Sequence, residues 1–71
     1  MTTEEIIRML QRRRASYLRD KAESLAEAGR HVVVGRLSGL RSAHTEAFRC
    51  EERVDEIEVI LKRIGAPLEA P

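Results

Sequence analysis

With 71 residues, the chain has room for one small domain and too little length to bury a large core. Aromatics make up 3% of it and there is a single cysteine, so neither a broad aromatic core nor a disulfide framework can hold the fold. Thirteen basic and twelve acidic side chains leave a net charge of +1, which excludes a strong overall pull toward nucleic acid or anionic membranes.

The charge is nevertheless uneven: residues 1–44 carry nine basic against five acidic side chains, and residues 45–71 four against seven. The start, Met1-Thr2-Thr3-Glu4-Glu5, lacks the basic and apolar regions of a signal peptide. The longest apolar runs are three residues, against the roughly 20 that span a bilayer. These features predict a soluble chain in a reducing, cytoplasmic setting, without membrane attachment.

Thr2 with Glu5 three residues on fits a helix N-terminus, and Glu4 adds negative charge at the helix's positive end. The first helix is predicted over about 3–28. Its apolar positions are Ile6, Ile7, Leu10, Tyr17, Leu18, Ala22, Leu25 and Ala26, interrupted by the polar turn Gln11-Arg12-Arg13-Arg14. Gly29 can take the left-handed conformation that ends a helix, so the turn is predicted at about 29–31. Val32-Val33-Val34 then reads in two ways. It is either the beginning of a second helix over about 32–64, in phase with the downstream apolar positions, or a short extended segment.

The second helix carries the strongest pattern in the chain. Val33, Leu37, Leu40, His44, Ala47, Cys50, Val54, Ile57, Leu61 and Ile64 recur at spacings of three and four, with one slip between His44 and Cys50. Such a series marks a long amphipathic helix whose seam faces another helix. Gly35 and Gly39, four apart, are expected to let a neighbouring helix approach closely. Lys62 and Arg63 in the last turn, then Gly65 and Pro67, end the helix, with residues 65–71 as a frayed tail. Folding back near residue 30 would set the Arg-rich segment beside Glu46, Glu51 and Glu52.

No catalytic constellation, metal-ligand spacing or cofactor fingerprint is present. His44 on the seam reads as a register-setting polar residue, Cys50 as a small buried hydrophobe, and the acidic cluster of residues 51–58 as a solvated face. The apolar positions Ile6, Ile7, Met9, Val59 and Ile60 widen one end beyond a two-helix seam and mark a candidate partner contact. Arg8, Arg12, Arg13 and Arg19 form a weaker candidate for nucleic-acid contact, without interleaved aromatics or a recognised DNA-binding motif.

The sequence therefore predicts a single all-α domain over 1–71: an antiparallel two-helix hairpin that dimerises into a four-helix bundle. The expected function is non-enzymatic protein–protein interaction, with itself and with an unidentified protein partner, as a regulator, inhibitor or assembly adaptor of the size common in phages. A dimeric nucleic-acid-binding bundle and a virion or scaffold component are the alternatives.

Overall fold

The computed structural model describes all residues, 1–71. Two helices, α1 (Thr3–Val34) and α2 (Leu37–Arg63), fold back on each other as an antiparallel hairpin of 48 × 18 × 18 Å, with no strand. α1 starts where the sequence says it should. Thr2 is extended, and its Oγ1 accepts the Glu5 backbone N–H at 3.2 Å.

The turn is not where the sequence placed it. α1 continues through Gly29 to Val34, so Val32–Val34 is neither strand nor the start of the second helix. The chain reverses at Gly35 and Arg36. Gly35 has φ +73°, its N–H donates to the Val32 carbonyl (3.2 Å), and the Arg36 N–H donates to that of His31 (2.9 Å). α2 closes in the same way: Gly65 (φ +71°) donates to Lys62 at 3.1 Å and Ala66 to Leu61 at 2.9 Å. A reversal at residue 30 would have left Leu61 and Ile64 overhanging the beginning of α1, with Ile57 level with its first residue. Moving it to Gly35 gives helices of 32 and 27 residues and sets the large side chains at the end of α2 opposite Ile7 and Leu10. The Arg-rich segment accordingly meets Glu58 rather than Glu46: Arg14 Nε lies 3.0 Å from Glu58 Oε1, and Lys21 Nζ lies 3.9 Å from Glu51 Oε1.

The seam of α2 is also more regular than its sequence reading. Its inward positions are Leu40, Ala43, Ala47, Cys50, Val54, Ile57 and Leu61, an unbroken alternation of three and four. Ala43 takes the inward place expected for His44, which is exposed, and the slip disappears. Val33 (86% exposed), Leu37 (70%) and Ile64 (49%) lie outside the contact between the two helices. The inward series of α1 is Ile7, Leu10, Arg14, Tyr17, Lys21, Ser24, Ala28 and His31, all buried or half-buried and half of them polar. That mixture explains why the stripe of the first helix looks broken in sequence.

The core is consequently concentrated at one end. Leu10, Ile57 and the fully buried Leu61 form its centre, with Ile7, Tyr17, Ala66 and Leu68 packed around them. The tail is not frayed. Gln11, buried, donates from Nε2 to the Pro67 carbonyl at 2.9 Å and to the Glu69 carbonyl at 3.4 Å, tying residues 67–69 across the start of α1.

Candidate interaction surfaces

The hairpin has two flanks, and they differ in chemistry. Glu51 and Glu58 each follow an inward residue of α2 by one position and meet Lys21 and Arg14, which identifies one flank of the seam. On α1 the matching positions are those one beyond the inward series: Ala15, Leu18, Ala22, Leu25, Gly29 and Val32, all exposed. On α2 they are Leu37, Arg41, His44 and Phe48, then Glu51, Asp55 and Glu58. This flank therefore shows five large apolar side chains to solvent, Leu18, Leu25, Val32, Leu37 and Phe48, the last 60% exposed. The opposite flank is polar: Asp20, Glu23, Glu27, Arg30 and Glu46 line a shallow cleft there.

This apolar flank escapes a reading of the sequence because the apolar residues of α1 look like one irregular stripe. They are two regular ones, a residue apart. Leu18, Leu25 and Val32, at intervals of seven, are the signal that would have separated them.

The end of the hairpin away from the turn carries the second apolar group. Of the residues expected there as a contact, Ile6, Val59 and Ile60 are exposed and Ile64 joins them. Met9 is half-buried, and Ile7 is turned into the core cluster and unavailable. Ile60 borders a shallow depression with Arg13, Tyr17 and Arg53.

At the turn, Gly39 does admit a close approach, from the His31 ring of α1. A Cβ on Gly39 would stand 2.3 Å from His31 Cε1. Gly35 serves as the helix terminator, with open space around it, so the two glycines do not form one packing face. His31 Nε2 lies 3.0 Å from Glu27 Oε1, Arg30 pairs with the same carboxylate, and His31 Nδ1 is buried without a partner. Arg30 and then His31 hold the Glu27 carboxyl below its ordinary range.

Arg8, Arg12, Arg13 and Arg19 are exposed and form no ion pair, so their charge is available to solvent. Cys50 is buried, and its thiol is pushed up by that burial and by the nearby Glu46 and Asp20, which keeps it protonated and unreactive. Nowhere do three His, Cys, Asp or Glu side chains converge as metal ligands would. Neither helix is long and apolar enough to cross a membrane. No family model, no curated protein and no solved structure matches the chain.

Proposed function

We propose that the chain is a non-enzymatic protein–protein interaction module that works as a homodimer, two hairpins assembling into a four-helix bundle with ends free for a target. A regulatory, inhibitory or adaptor role in the cytoplasm suits such a module. One observation carries the reading: more large apolar side chains stand on the surface than in the core. Leu18, Leu25, Val32, Val33, Leu37, Phe48, Val59, Ile60 and Ile64 are exposed, while Leu10, Val54, Ile57 and Leu61 are the large ones buried. A chain this short gains little from a single narrow seam, and covering those side chains yields roughly 25 cal/mol per Å².

Sedimentation equilibrium between 1 and 100 µM tests the self-association. The expected result is a species of twice the 8.1 kDa chain mass at the upper concentrations. A solitary chain that melts cooperatively throughout that range would remove the reading.

Nucleic-acid binding is the second reading, favoured by the unpaired Arg8, Arg12, Arg13 and Arg19. It expects a mobility shift with DNA or RNA at low salt that an R12A/R13A variant of unchanged mass loses. Unchanged mobility at low salt would dismiss it.

A further inference from the structure

We infer that a second copy of this chain covers the apolar flank, its α1 antiparallel to α1 and its α2 antiparallel to α2, with Phe48 of both copies beside the two-fold axis. The inference rests on the self-association proposed above and adds its face and register.

On α1, the inward series and the flank series lie one residue apart, which is about 100° round the helix. That is close to the corner angle of a square four-helix bundle, in which each helix touches two neighbours. α2 occupies the inward side, and the flank side is open.

The flank series also has the alternation that a symmetric contact needs. Along Ala15, Leu18, Ala22, Leu25, Gly29 and Val32, small and large residues take turns. Set antiparallel to itself, this stripe places Ala15 opposite Val32, Leu18 opposite Gly29, and Ala22 opposite Leu25. Every large side chain then meets a small one. A two-fold interface must be complementary to itself, and this stripe is.

The flank of α2 suits the same axis independently. The Arg14–Glu58 and Lys21–Glu51 pairs fix which levels of the two helices coincide, and the midpoint between Ala22 and Leu25 falls between residues 48 and 49. The axis therefore passes Phe48. The same operation brings Arg41 within one residue of the level of Asp55 of the second copy, and His44 within two residues of the level of Glu51. Opposite charges face each other at the first place and an imidazole faces a carboxylate at the second, twice each by symmetry. Leu37 comes within two residues of the level of Glu58, whose charge Arg14 already holds.

Size agrees as well. Because the axis lies nearer the turn than the middle, the hairpins overlap over about 35 Å of their length, at 1.5 Å per residue. With the 18 Å width, the footprint is about 600 Å² a side, at the lower bound for a stable complex. Ile6, Val59, Ile60 and Ile64 stay uncovered at both extremities of this dimer, free for a target.

A charge-swap experiment tests the register. Arg41→Glu and Asp55→Arg, each alone, place like charges opposite each other twice, and each is expected to weaken self-association about tenfold. Mixed in equal amounts, the two variants form a heterodimer in which both contacts are attractive, and wild-type affinity returns. Phe48→Cys in a Cys50→Ala background is expected to link covalently between copies on mild oxidation, whereas Arg49→Cys in the same background does not. A dimer that shows neither rescue on mixing nor the position-48 cross-link associates by another face; the inference then falls while the interaction-module reading stands. A chain that remains at 8.1 kDa at 100 µM removes both.

Discussion

The two ends of this hairpin are built from the same helices and held in opposite ways. At the terminal end, Leu10, Ile57 and Leu61 are buried among Ile7, Tyr17, Ala66 and Leu68, and Gln11 fastens the tail over them. At the turn end, the inward positions apart from the half-buried Leu40 are small or polar (Ala28, His31, Ala43, Ala47), while Leu25, Val32, Leu37 and Phe48 face outward. Apolar content alone therefore does not define a core. The terminal end places its large residues at inward heptad positions. The turn end, Leu40 apart, places them one residue off, where only another molecule can cover them.

Substitutions on either side of this divide sharpen the contrast. The largest effect is expected for Leu61→Ala, which leaves a cavity in the only cluster of large side chains. That cavity is expected to cost about 2–5 kcal/mol in urea unfolding. Next is Gly39→Ala at the turn end, where the new Cβ would collide with the His31 ring. Displacing that ring is expected to cost about 1–3 kcal/mol, offset by the roughly 1 kcal/mol that alanine gains over glycine in a helix interior, with faster amide exchange near residues 27–40 and little change near Leu61. If exchange rises equally at both ends, the hairpin is a single cooperative unit and the division fails.

Gln11→Ala is expected to free the tail, with a loss of about 1–2 kcal/mol because two backbone carbonyls lose their buried donor. Accelerated carboxypeptidase digestion of residues 67–71 would register it. The smallest effect is electrostatic. The depressed Glu27 carboxyl contributes stability that is complete above its ordinary value of 4.5 and is lost as the pH falls through its lower folded value. Between pH 6 and 3, the protection of turn-end amides relative to their intrinsic exchange rates is therefore expected to fall in the wild type and to change less in Glu27→Gln.

Some of this arrangement is legible in the residues alone. The Thr2 cap, the stop at Gly65 and the inward run from Ala47 to Leu61 all come from local chemistry and spacing, and the structure has each of them. Other features depend on a partner segment far along the chain. Ala43 and His44 are adjacent, and either continues a three-four rhythm; the crossing of the helices turns the alanine inward. Glu51 is among the partners the sequence offers the basic segment, and Lys21 meets it, but Glu58 comes opposite Arg14 only once the register is set. Gln11 looks like part of a polar turn until the tail returns to it.

Residue order was thus enough to dictate two amphipathic helices, their ends where a cap is unambiguous, and the single apolar face of the second. Helix formation is local, decided within a few turns by side-chain period and capping. Long-range packing alone selected Gly35 over Gly29 as the point of reversal, and with it the residues of α1 that face α2. Both glycines can sit at a helix end, and one in a helix interior costs only about 1 kcal/mol. The balance was set by the register that buries Leu10 against Ile57 and Leu61, contacts between residues about fifty positions apart.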